Sequence, residues 1–113
     1  MPFVNVKTNV SVNKEVHNKL YNEIDCAIAL IPCIEKGWTM VNFEDNCILW
    51  FENSDAPAAM VEVSVWGDIL GNNCQLLTKN ITDIINSLLS IDKNRIYINF
   101  FSTPYWGCGG NNY

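Results

Sequence analysis

Pro2 has the most direct route to chemistry of any residue in this chain. It stands behind Met1 at the head of Phe3-Val4-Asn5-Val6-Lys7-Thr8, where faces alternate as in a strand. With Met1 removed, the Pro2 ring nitrogen is a free secondary amine at a strand end, a place where proline is tolerated. Such an amine can take a proton. An unperturbed α-amino group has a pKa of about 7.7 to 8.0, so a downward shift of one unit leaves it mostly neutral at pH 7. Burial among apolar side chains moves it that way by disfavouring the cation, and Phe3, Val65, Trp66 and Phe101 are expected to supply those surroundings. The plainer reading is that Met-Pro is an ordinary start and Pro2 only stiffens it. If Met1 is retained, the nitrogen is an amide and takes no proton.

The other reactive side chains exclude more than they assign. Cys26, Cys33, Cys47, Cys74 and Cys108 form an odd set with no CxxC spacing, so free thiols are expected rather than a redox pair or zinc knuckle. His17 is expected on the polar side of a helix, and the sequon Asn80-Ile81-Thr82 falls within a helical pattern. No metal or organic cofactor is called for. The chain has 113 residues, enough for one domain. Its 49% hydrophobic and 17% charged residues are those of a compact fold. A net charge of -5 with only seven cations speaks against nucleic acid and an anionic membrane surface. Neither a secretory leader nor a membrane-inserting run is expected, which makes the cytoplasm the expected location.

The elements that must position Pro2 read as follows. A helix is expected to start near Asn13, with Val16, Leu20, Ile24, Ala27, Ile28 and Ile31 as its apolar stripe and Pro32 as its stop. Trp38 to Phe43 reads as a strand, and Cys47 to Phe51 as an edge strand or ribbon. Ala59 to Trp66 is a further strand, and Asn72 with Gln75 resembles a capping box. Leu77, Ile81, Ile84, Ile85 and Leu88 then line a helix, Arg95 to Phe101 is a strand, and the Gly-rich tail makes a turn with a short closing strand.

An offset of 57 superposes Val4 on Val61, Leu20 on Leu77, Ile24 on Ile81, Ile34 on Ile91 and Val41-Asn42-Phe43 on Ile98-Asn99-Phe100. This is an internal repeat, about 1–56 and 57–113, of a βαβ unit. It predicts a single α/β (α+β) domain: a four-stranded mixed sheet with two helices on one face. The opposite face is then bare, and Trp38, Trp50, Trp66, Phe101 and Trp106 give more aromatic surface than two helices can cover. Self-association, most simply as a closed ring, is the expected consequence.

Met1-Pro2-Phe3, Thr8-Asn9-Val10, Ser54-Asp55-Ala56-Pro57, Gly67-Asp68-Ile69 and above all Asn94-Arg95-Ile96-Tyr97-Ile98-Asn99-Phe100-Phe101 carry a resemblance. Over essentially its whole length the chain resembles the macrophage migration inhibitory factor group of the tautomerase superfamily, with an inserted residue in the first helix region and a shortened C-terminus. The resemblance implies a homotrimer with sites between subunits. It also implies a cofactor-free keto–enol tautomerase for phenylpyruvate- and dopachrome-like aromatic acids, with Pro2 as catalytic base. Tyr97 and Asn99 match residues that a neighbouring subunit contributes, where a hydroxyl or amide steadies the developing enolate oxygen. Trp66 takes a position that is normally an aliphatic pocket wall.

There are departures as well. The family's substrate-binding lysine falls on Ile34, and Lys36 takes its place only if the loop shifts. The tail tryptophan falls on Gly110, with Trp106 nearby as its substitute. Ala58 and Val61 stand where the founding cytokine has a thiol pair, so no thiol oxidoreductase activity is carried over. A dehalogenase or decarboxylase of the superfamily would need arginines, and Arg95 is the sole one. The alternative to the enzyme is a cytokine-like protein with a vestigial pocket, a cell-surface receptor as partner, and export without a signal peptide.

Overall fold

Seven residues of alternating burial make β1 (Pro2–Thr8), with Pro2, Val4, Val6 and Thr8 turned inward and Phe3, Asn5 and Lys7 outward. The computed structural model, which describes residues 2–69 and 71–113, continues with α1 (Lys14–Ile28), β2 (Met40–Glu44), β3 (Ala59–Trp66), α2 (Gly71–Leu89), β4 (Ile96–Thr103), β5 (Gly107–Cys108) and β6 (Asn111–Asn112). Met1, on whose removal the proline chemistry depends, lies outside the described residues.

The four long strands form one sheet in the order β2-β1-β3-β4. β1 is parallel to β2, β3 is parallel to β4, and the two central strands run antiparallel, so two βαβ units meet side by side. Leu20, Ile24 and Ile28 of α1 and Leu77, Ile81 and Ile85 of α2 are fully buried in a single core with Val4, Val6, Val61 and Val63. Each such side chain is worth roughly 1.5–3 kcal/mol of burial. The opposite sheet face carries Phe3, Met40, Met60, Trp66, Tyr97 and Phe101, and no element of the described chain covers it; Met40 is 70% exposed and Phe101 56%.

The structure departs from the sequence expectations at several points. α1 is capped by Asn13, whose Oδ1 accepts the Val16 amide at 2.9 Å. It ends at Ile28 rather than running to Pro32, because residues 29–31 turn tighter through Leu30 N–H to Ala27 O (3.2 Å) and Ile31 N–H to Ile28 O (3.0 Å). α2 begins at Gly71, and among the described residues Asn72 Oδ1 accepts from the adjacent Asn73 amide and no bond joins Asn72 to Gln75, so the expected capping box is not formed there.

Cys47 to Phe51 joins no ladder within this chain. After the left-handed turn at Asn46 (φ 55) it leaves the sheet, and its backbone-to-backbone bonds among the described residues are Cys47 N–H to Thr8 O and the bridge between Phe51 and Ser54. Ile48 is consequently 91% exposed. His17 is only partly exposed, its ring stacked on Phe43 at 5.0 Å between centroids, because the first turns of α1 lean over the end of β2. No helix among the described residues is long and apolar enough to cross a membrane.

Candidate active site

β1 presents Pro2 at its start, buried on the helix side of the sheet and opposite Val65 of β3. Val65 lines an open cavity of about 270 Å³ whose other walls include Ile31, Ile34, Trp66 and Asp68. Two segments build it. One is the stretch from β3 into α2, which turns at Gly67 (φ 83). The other is the 29–39 connection after α1, which holds Cys33 in a left-handed conformation (φ 70).

Asp25 fixes that connection. The sequence puts it off the apolar stripe, yet it is only 3% exposed, and both its carboxylate oxygens accept the Gly37 amide, at 3.0 and 2.8 Å. Gly37 has φ 91, a conformation favoured by glycine. The carboxylate therefore ties the last turns of α1 to the far end of the loop that forms the cavity wall.

Trp66 is among the residues that line the cavity, and the tail packs against it. Its indole N–H donates to Pro104 O at 3.3 Å, and its ring lies 5.2 Å from the Tyr113 ring, tilted by 44°. A two-residue turn brings Tyr113 there: Cys108 pairs with Asn111, and Gly109 (φ 60) and Gly110 (φ 88) both take the left-handed backbone that such hairpins demand. Trp106 is half-buried and accepts the Tyr113 amide through its backbone carbonyl at 2.9 Å. The tail aromatic against Trp66 is thus Tyr113, which sequence reasoning missed; its signal was an aromatic placed just beyond a Gly-Gly turn. Burial pushes the Tyr113 phenol above 10.0, and the Cys108 thiol adds to the shift.

Lys36 is exposed and is not among the residues lining this cavity, whereas Ile34 is. Tyr97 and Asn99 stand on the bare sheet face, in register with Met60 and Glu62. The position level with Pro2 and Val65 on β4 is Ser102. At roughly 3.3 Å per residue, Tyr97 is therefore about 16 Å and Asn99 about 10 Å further along the sheet, on its other side. One chain does not bring them to Pro2.

Around the Tyr97 end the chain is already satisfied. Arg95 donates to the carbonyls of Phe51, Ser54, Ala56 and Pro57 at 2.9 to 3.1 Å, stitching the 51–58 turn to β4. Tyr97 packs edge-on against Phe51. Lys7 meets Glu62 at 3.1 Å, which lowers the Glu62 carboxyl and raises the Lys7 ammonium. Asn99 is different: its Oδ1 is shielded from solvent without a hydrogen-bond partner, an acceptor left unused in the single chain.

The family model described as macrophage migration inhibitory factor (MIF) matches residues 1–112. The chain belongs to the macrophage migration inhibitory factor family. The macrophage migration inhibitory factor of Xenopus laevis is 26% identical over 111 residues, 98% of this chain and 96% of that protein. The crystal structure of Leishmania major MIF2 superposes with a TM-score of 0.95 at 27% identity, covering 100% of this chain and 97% of that one. The fold alone is shared with the macrophage migration inhibitory factor of Toxoplasma gondii, at a TM-score of 0.92 and 19% identity over 98% and 99% of the two chains. Within this family fold, Pro2 lies on the helix-covered face, Tyr97 and Asn99 lie on the bare face, and the cavity opens at the end of β3 where Val65 and Trp66 both line it.

Proposed function

We propose that this member of the macrophage migration inhibitory factor family is a cofactor-free keto–enol tautomerase of small aromatic carbonyl compounds of the phenylpyruvate and dopachrome type, acting as a homotrimer. The observation that carries the reading is the placing of Pro2 at the head of β1, buried and opposite a wall residue of the cavity. With Met1 removed, the Pro2 nitrogen takes a proton from the carbon beside the substrate carbonyl, and the resulting ammonium gives that proton to the enolate oxygen, which yields the enol and restores the free amine; the reverse sequence gives the ketone. Apolar surroundings that include Val65 keep the amine neutral at physiological pH. Tyr97 and Asn99 of a second copy complete the site, consistent with the uncovered sheet face and the unused Asn99 acceptor. They steady the negative oxygen in a setting where water is reduced.

The test combines intact mass with turnover. The native protein is expected to have lost Met1 and to sediment as a trimer. Pro2→Gly is expected to keep the trimer and lose enol–keto turnover; undiminished turnover contradicts the proline mechanism. A second reading, a cytokine-like binding protein with a vestigial pocket, is favoured by Tyr113 lying over Trp66 at the cavity wall. It requires receptor binding that survives Pro2→Gly and negligible turnover by the native chain.

A further inference from the structure

The chemistry of the cavity wall says more about the substrate than the catalytic residues do. Ile31, Ile34, Val65, Trp66 and Ile69 are apolar, and among the described lining residues the one formal charge is the carboxylate of Asp68. From this we infer that the site takes neutral aromatic carbonyl compounds, such as esters, ketones or aldehydes, in preference to carboxylates. This rests on the tautomerase reading and narrows its substrate class.

The disposition of the cations supports it. Of seven in the chain, Lys7 is paired with Glu62, Lys19 with Glu15, and Lys79 and Lys93 with Asp83. Arg95 is committed to backbone carbonyls. Lys14 opens α1, which follows the end of β1 remote from Pro2. Lys36 is exposed and outside the cavity lining. An entering carboxylate would shed water against an isoleucine and face Asp68 with no lysine or arginine among the described lining residues to compensate. A flat neutral ring has Trp66 to stack on, and the Tyr113 ring extends that surface.

The test is a matched pair, an arylpyruvic acid and its methyl ester, given to the trimer lacking Met1. Turnover of each is divided by its own uncatalysed rate, and binding of each is followed at the Trp66 indole N–H resonance. The ester is expected to be favoured about tenfold or more in binding and in normalised kcat/KM, the size of one charge-assisted contact. Ile34→Lys is expected to move the ratio toward the acid. Equal or better handling of the acid by the native chain overturns the inference, as does a selective fall in acid turnover in Lys36→Met. Absence of turnover with both compounds counts against the tautomerase reading alone, and the binding ratio then still decides the substrate class.

Discussion

Ile34 and Ile91 fall at equivalent places in the two βαβ halves, laid over one another at the offset of 57, yet they have opposite fates. Ile91 is fully buried in the core. Its connection is short: Asn86 donates to the Ile91 carbonyl at 2.8 Å, and Asp92 caps a 3-10 turn at Lys93–Arg95 that feeds straight into β4. Ile34 lies only partly buried in a longer connection and forms a cavity wall. Both Lys93 and its counterpart Lys36 are exposed, and Lys93 bridges to Asp83 of α2 at 2.9 Å. A duplicated fold keeps the core stripe in both copies because both helices must pack. The copies diverge in the segments after the helices: the short one buries Ile91, and the longer one walls one side of the candidate cavity, whose other side, Val65 to Ile69, comes from the second half.

Five substitutions probe the contrast between the two copies. Pro2→Gly is expected to cost about 100-fold or more in turnover, the usual scale for a general base, while its counterpart Ala59→Gly leaves the chemistry in place. Ile91→Ala should lower stability by roughly 2–5 kcal/mol through a core cavity. Ile34→Ala, partly exposed already, should lower it by less than about 1 kcal/mol on the area it loses. Equal midpoints for these two variants in denaturant would erase the distinction between the connections. Asp25→Ala is expected to cost about 1–3 kcal/mol by orphaning the Gly37 amide. Faster hydrogen exchange at that amide, without change at Ile91, would place the loss in the cavity loop.

The smallest effects are electrostatic. Glu62 titrates below its ordinary 4.5 because of Lys7, and Asp83 below 3.8 because of Lys93 and then Lys79. A depressed folded pKa stabilises the fold at pH above the ordinary value and is lost as pH falls through the lowered one. The melting temperature of Glu62→Gln should therefore trail the native protein above pH 4.5 and converge with it in stronger acid. The gap should be slight, because both partners are about a third exposed to screening solvent.

Much of this was legible in the sequence. The alternation of β1 and β3, the helical stripes and the offset repeat come from side-chain periodicity, which burial dictates directly, and they imply a four-stranded sheet with both helices on one face; the strand order comes from the structure. Pro2, Trp66, Tyr97 and Asn99 could be placed on their strands because a strand has a period of two. Three features were beyond that reasoning. Asp25 looks like a surface residue until the loop it anchors is folded over it. Tyr113 reaches Trp66 only through a hairpin whose two left-handed glycines set the direction of the tail. Cys47 to Phe51 has the composition of a strand but pairs with neither edge strand, β2 or β4, of its own chain, and composition carries no information about partners.

The central claim is that Pro2 of one subunit works with Tyr97 and Asn99 of another. Subunit mixing tests it most directly. Pro2→Gly and the double variant Tyr97→Phe/Asn99→Ala, each inactive alone, are unfolded together in equal amounts and refolded. Random trimers would pair an intact Pro2 with an intact Tyr97 and Asn99 across about a quarter of the interfaces. Recovery of turnover to about that fraction of native is the predicted result; a mixture no more active than its two components would mean that no site is shared between subunits.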